Sequence, residues 1–233
     1  MKKVISLLLA LTLMLTAVGC ADDSQSAYDL YTSALSTYQA GYEADVSLAM
    51  QIGEQSAQGV LHVKTAGNDA ALTRADSTDA RYYVDGTCYR SGYSIGGVHY
   101  DGRVKLALEK NAFMTECTGM YGINPFAQAF PTFTVEALQG VELAKSGAFS
   151  SFAVDMTEEM IRNYLGNPTF ERAEGGIVAT FNGTGQMTSL LFRFDVFYSE
   201  SDVRAFEIVY RFQSIGTIPA ILPPADADSY IEL

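Results

Sequence analysis

Tyr42-Glu43-Ala44-Asp45-Val46-Ser47-Leu48-Ala49-Met50-Gln51-Ile52 is the stretch that decides the fold. Tyr42, Ala44, Val46, Leu48, Met50 and Ile52 alternate with Glu43, Asp45, Ser47, Ala49 and Gln51. A period of two over this length predicts a long strand with one face buried and the other wet. Just before it the period changes. Ala27, Leu30, Tyr31, Ala34, Leu35 and Tyr38 recur at helical spacing, so a short amphipathic helix over residues 27–38 feeds the strand.

Outward from there the chain reads as an antiparallel meander. Residues 53–58 form a polar turn, 59–65 a return strand, and 71–75 a continuation after the turn at Gly67-Asn68-Asp69. Tyr82-Tyr83-Val84, Asp85-Gly86 and Thr87-Cys88-Tyr89-Arg90 form a hairpin signal, because Asp-Gly accepts the positive φ angles of a type I′ turn. Val98-His99-Tyr100 adds a strand. Residues 104–108 and 125–130 have helical character, and Thr134 caps a short helix that Gly140 stops.

Sheet-forming sequence resumes at 149–156. Thr157 then caps a helix that Gly166 terminates, and three strands follow at 176–181, 187–198 and 203–212. Phe206, Ile208, Tyr210 and Phe212 share one face of the last strand, while Phe192, Phe194 and Val196 oppose Arg193 and Asp195 in the one before. Helix followed by meander thus occurs in both halves. The prolines at 219, 223 and 224 hold the tail extended along the sheet. The fold class expected is α+β, a large curved antiparallel sheet packed against a few helices.

The N-terminus carries a different kind of information. Lys2 and Lys3 precede an apolar run that is shorter than the ~20 residues a spanning helix needs, which reads as a removable export signal over residues 1–19. Ala17-Val18-Gly19-Cys20 resembles the lipobox of bacterial lipoproteins, in which the Cys thiol accepts a diacylglycerol. Alanine stands at the first of these positions, where leucine is commoner. Cys20 is therefore the expected lipidation site, residues 20–26 a short polar tether, and 27–233 a single domain. The address that follows is extracytoplasmic, lipid-anchored to the bacterial cell membrane.

The net charge is −12, and it becomes more negative once Lys2 and Lys3 are removed. An acidic domain is repelled by an anionic membrane and by nucleic acid, so attachment must come from acyl chains on Cys20 and nucleic acid is excluded as a partner. Cys88 and Cys117 remain as an even pair. Two readings stay open for them: a disulfide, contributing about 3 kcal/mol, or two free thiols.

Catalytic motifs fail on context. Gly92-Tyr93-Ser94-Ile95-Gly96 matches a serine nucleophile elbow by letter, but a hairpin precedes it, strand-like sequence follows, and His99 is the last histidine in the chain. His62 and His99 have no Cys or carboxylate at metal-ligand spacing, and each reads as a strand residue with a satisfied ring. Glu158-Glu159 suits a helix dipole rather than acid–base work. Gly183-Thr184-Gly185 lacks the third glycine and following helix of a dinucleotide fingerprint, and reads as a turn. The expectation is a non-enzymatic protein without metal or cofactor.

With those residues laid out, the chain resembles the bacterial lipoproteins of the LolA/LppX-like superfamily. The resemblance rests on the Cys20 lipobox, the helix feeding the 42–52 strand, the Tyr83-Val84-Asp85-Gly86-Thr87-Cys88-Tyr89 hairpin, the Asn182-Gly183-Thr184-Gly185-Gln186-Met187 turn into a Phe-rich strand, and Leu222-Pro223-Pro224. It implies an incomplete β-barrel wrapped around helices, with an apolar cavity between sheet and helices that in some members carries lipid. Fourteen Tyr and thirteen Phe without Trp supply broad aromatic surface, either for such a cavity or simply for the sheet–helix core. Alternation alone nominates Tyr42, Val46, Leu48, Phe192, Phe194, Phe206, Ile208 and Tyr210 as wall residues for a lipid or other apolar ligand. The other reading is an acidic interaction or structural module that meets another envelope protein.

Overall fold

The computed structural model describes residues 23–75, 77–95 and 98–233, with backbone alone at 93–95 and 98–101. Cys20 and the export signal lie outside the described residues. In chain order the elements are α1 (Ser24–Ala40), β1 (Gly41–Ile52), β2 (Gln55–Ala66), β3 (Asp69–Arg74), β4 (Ala80–Val84), β5 (Thr87–Ile95), β6 (Val98–Ala107) and α2 (Lys110–Tyr121). There follow β7 (Ala144–Ser146), β8 (Phe149–Asp155), α3 (Glu158–Tyr164), β9 (Arg172–Phe181), β10 (Met187–Phe197), β11 (Val203–Ile215) and β12 (Ile231–Glu232). All twelve strands belong to one sheet of order β12-β6-β5-β4-β3-β2-β1-β11-β10-β9-β8-β7. It is antiparallel except for the β12–β6 pair, and its two edges do not meet, so the barrel stays open.

Two meanders, β1–β6 and β7–β11, are joined where β1 pairs with β11. Tyr42 lies opposite Ile215, Val46 opposite Tyr210 and Leu48 opposite Ile208. The alternation of the 42–52 stretch is obeyed here: Tyr42, Ala44 and Val46 are buried. Glu43 and Asp45 face outward, where both ring nitrogens of His62 meet them, Nε2 at 3.0 Å from Glu43 Oε1 and Nδ1 at 3.1 Å from Asp45 Oδ1. The Asp85-Gly86 turn has φ of 49° and 78°, the paired positive angles a type I′ hairpin requires. At the α1–β1 junction Gly41 has φ of 152°, and a Cβ there would lie 2.6 Å from the Thr65 carbonyl oxygen. Only glycine lets the helix feed straight into the sheet centre.

The helices lie on one face and share a single core with the sheet. α1 buries Ala27, Tyr31, Ala34, Leu35 and Tyr38. Its phenols are pinned by backbone carbonyls: Tyr31 donates to Pro131 O at 3.0 Å, and Tyr38 to Met187 O. Beside it, Tyr42 donates to Pro125 O at 2.6 Å. The irregular segment after α2, with 3-10 turns at Ala127–Ala129 and Glu136–Leu138, buries Ile123, Phe126, Phe130, Phe133 and Leu138 over the same sheet face.

The structure corrects three local expectations. Residues 104–107 are not helical but lie in β6, where Val104 pairs with Arg90 and Leu106 with Cys88, because sheet pairing overrides a weak local propensity. α1 begins at Ser24, not Ala27. Ser24 is buried and donates to Leu138 O at 2.7 Å, so residues 24–26 belong to the fold rather than to a tether. α2 was not anticipated at all, although Phe113, Cys117 and Tyr121 recur four residues apart and Gly122, with φ of 71°, ends the helix.

Candidate functional site

The site lies where the burial of two central strands gives out. Along β1 the apolar face is fully buried at Tyr42, Ala44 and Val46, then only partly buried at Leu48, Met50 and Ile52. β11 mirrors this, buried at Tyr210 and Ile208 and partly exposed at Phe206 and Arg204.

Where the helical cover ends there is a cleft of about 550 Å³, half open to solvent. Its floor is Leu48, Met50, Leu61, Phe206 and Ile208 from the sheet. Its walls are Thr118, Met120 and Tyr121 of α2, with Leu165 and Pro168 after α3. This volume is within the range of small-molecule sites.

Of the eight wall residues nominated by alternation, Leu48, Phe206 and Ile208 line the cleft. Tyr42, Val46, Phe192, Phe194 and Tyr210 do not. They are at most 1% exposed, and the four aromatic ones among them pack ring on ring. Tyr164 of α3 stacks on Phe192 at 4.3 Å and 17°, and its hydroxyl lies 3.0 Å from that of Tyr210. Phe130 caps Tyr210 at 5.1 Å. Alternation reports which face of a strand is apolar, but not how far along it a helix lies; that is why these five belong to the core.

The α2 wall is held by a charged clamp that sequence reading missed. Arg81 on β4 is 1% exposed. Its Nη1 donates to the carbonyls of Ala80 at 2.8 Å, Ser91 at 3.2 Å and Gly92 at 2.8 Å, and its Nε donates to Glu116 Oε1 of α2 at 3.3 Å. Arg90 on β5 donates to the other Glu116 oxygen. Tyr83 stacks on Phe113 of α2 at 5.0 Å, completing the contact. The available signal was an arginine at an inward position of a strand, which demands a partner when buried.

Cys88 and Cys117 sit in this same layer as buried free thiols, so the disulfide alternative is not the one the structure adopts. Burial pushes Cys88 up to about 11 and Cys117 well above the ordinary thiol value; Glu116 adds to both shifts. Neutral, buried thiols are poor nucleophiles.

Other motifs resolve as structure. Ser94 lies in the antiparallel β5–β6 hairpin opposite His99, not in a strand-to-helix elbow; Gly96 and the side chains of Ser94 and His99 fall outside the described residues. Asn182 Oδ1 accepts from the amides of Thr184 and Gln186, each at 3.0 Å, which makes the Gly183–Gly185 stretch a side-chain-stabilised turn. Thr157 caps α3 by accepting from Met160 N at 3.2 Å, with Glu158 and Glu159 in the first turn. Among the described residues, no group of three or more His, Cys, Asp or Glu side chains could hold a metal, and no helix is long and apolar enough to cross a membrane.

Fold and cleft together define an α+β protein whose open antiparallel sheet is partly covered by helices on one face, with an apolar cleft at the uncovered end. No family model and no curated protein matches the sequence. Similar solved structures include a LolA superfamily protein from Nitrosomonas europaea, 9% identical, covering 88% of this chain and 96% of that one, with a TM-score of 0.35. The complex of MucA and MucB from Pseudomonas aeruginosa is 10% identical, covering 86% of this chain and 59% of that one, with a TM-score of 0.33. A DUF1329 family protein from Desulfovibrio piger is 11% identical, covering 87% and 96%, with a TM-score of 0.27.

Proposed function

We propose that this chain is a non-enzymatic, extracytoplasmic lipoprotein, anchored to the cell membrane by acyl chains on Cys20, that binds a lipid or other hydrophobic ligand in the sheet–helix cleft. The observation that carries the reading is the cleft itself: about 550 Å³ floored by Leu48, Met50, Leu61, Phe206 and Ile208. Each methylene buried there contributes about 0.8 kcal/mol to binding.

Native mass spectrometry of residues 21–233 purified from cells tests it. The expected result is a co-purified lipid that a fluorescent fatty acid displaces. No bound lipid together with no displaceable fatty-acid binding would exclude the carrier reading and favour the envelope-protein interaction module. For the anchor, Cys20→Ser is expected to move the protein from the membrane to the aqueous fraction.

A further inference from the structure

β8 is paired along only part of its outer edge. The Met156 amide donates to Gly175 O at 2.8 Å, which fixes the alternation: Phe152 and Val154 bond to β9, while Ser151, Ala153 and Asp155 aim N–H and C=O the other way. On that side β7 is three residues long and starts opposite Ser151. The residues before it lie off the sheet, with the Leu143 amide turned to Asp23 Oδ2 at 3.1 Å. Ala153 and Asp155 are exposed, and among the described residues no backbone hydrogen bond reaches either from the open side.

The open edge lines a groove of about 1000 Å³, with Gln139, Val141 and Glu142 on one wall and Ala153, Asp155 and Glu174 on the other. The outer sheet face beside the edge is acidic. Cross-strand partners share a face, so Asp155, Glu174 and Asp195 project together, and Gly176, opposite Asp155, puts no side chain between them. The two arginines of this face are engaged, Arg193 by Glu207 at 2.5 Å and Arg172 by Glu174 at 3.1 Å. Burial first and Glu174 second hold the Asp195 carboxyl above its ordinary value, as befits an acid without a countercharge.

Unpaired N–H and C=O groups on an edge strand are a template for another extended chain: the backbone bonds give affinity, and alternate side chains give selectivity. We infer that this edge docks an extended, basic segment of another polypeptide, which adds as an antiparallel strand beside Ala153 and Asp155 and directs Lys or Arg at alternate positions onto the Asp155–Glu174–Asp195 face. Antiparallel addition continues the pattern of both present neighbours of β8. A second copy of this chain is the poorer occupant, because pairing β8 with itself brings like charges together. The groove shares no lining residue with the apolar cleft, so the inference is independent of the lipid-binding reading.

Fluorescence anisotropy of a labelled peptide of alternating Lys and Val, titrated at physiological salt with residues 21–233, which contain every described residue, tests it. The residue opposite Asp155 both bonds to the edge and shares its face, so the lysine amides are the ones that dock. The same peptide N-methylated at its lysine backbone amides, equal in charge, is expected to bind about tenfold more weakly or worse. A peptide of alternating Glu and Val should not bind. Ala153→Pro removes the outward N–H and no sheet bond, so it should abolish docking with the thermal melt little changed. Asp155→Lys should narrow the gap between the Lys–Val and Glu–Val peptides, a swap that a damaged fold would not produce. Equal binding of the methylated and unmethylated peptides would reduce the contact to general charge attraction and overturn the edge inference, as would no binding of the Lys–Val peptide. A dimer of the protein alone that Ala153→Pro dissolves would give the edge to a second copy and overturn the partner inferred. Each of these results leaves lipid binding in the cleft untouched.

Discussion

Arg81 Nε and Glu116 Oε1 meet at 3.3 Å across the β4–α2 interface, the arginine fully buried and the glutamate shared with Arg90. This pair fixes α2 over the sheet and so sets the position of the cleft wall that carries Met120 and Tyr121. Glu116→Gln removes the countercharge from a buried cation and is expected to cost about 3 kcal/mol. Urea denaturation should show a lowered midpoint with little change in m-value. Ligand affinity should fall with it, since the wall loses its anchor.

Tyr164 and Tyr210 share one hydrogen bond inside the ring cluster, at 3.0 Å. Tyr210→Phe leaves the Tyr164 hydroxyl buried without that partner and is expected to cost about 1–3 kcal/mol. The double variant Tyr164→Phe/Tyr210→Phe should cost less than the sum of the two single changes, because neither hydroxyl then remains to be satisfied. Additive costs would show that the two hydroxyls do not interact.

Alkaline pH acts on the buried thiol layer. Cys88 rises from 9.0 in the unfolded chain to about 11 in the native one, through burial first and Glu116 second. Between those values the unfolded state binds fewer protons, so stability is fully present below about pH 9 and is lost as pH rises through about 11. Cys88 accounts for roughly 2 kcal/mol of that loss. Tyr121, raised from 10.0 to about 12, adds a loss of the same sign that begins one unit higher. Melting temperature measured across pH 8–11 should fall, and Cys88→Ala should flatten the slope.

Gly119 lies inside α2, where an added Cβ meets nothing within 4 Å. Gly119→Ala is expected to stabilise the protein by about 0.5–1 kcal/mol through reduced freedom of the unfolded chain. A thermal melt unchanged or lowered would indicate that α2 is not the continuous helix described.

Most of the sheet was legible because strand signals are local. The 42–52 alternation, the Asp85-Gly86 turn and the Asn182–Gln186 turn each depend on a few neighbouring residues, and each forms where expected. α2 was legible in principle, from the spacing of Phe113, Cys117 and Tyr121, but its polar intervening residues and internal Gly119 obscured it. The short tail strand Ile231–Glu232 had no local signal, since it exists only by pairing with Val104 and Lys105 of β6.

The site was legible in part. Leu48, Phe206 and Ile208 line the cleft, whereas Tyr42, Val46, Phe192, Phe194 and Tyr210 share the same face and yet belong to the core. By itself, the sequence determined the strand periods, the hairpin turns, the acidic charge and which face of each strand is apolar, all of which follow from residues near one another in the chain. Tertiary structure alone decided how far each helix covers that face, that Arg81 finds Glu116 thirty-five positions away, and that Tyr121 ends beside the uncovered floor. The reason is that a strand's alternation is a property of its own backbone, whereas a cleft is made where residues from β1, β2, α2, the segment after α3 and β11, far apart in the chain, come together.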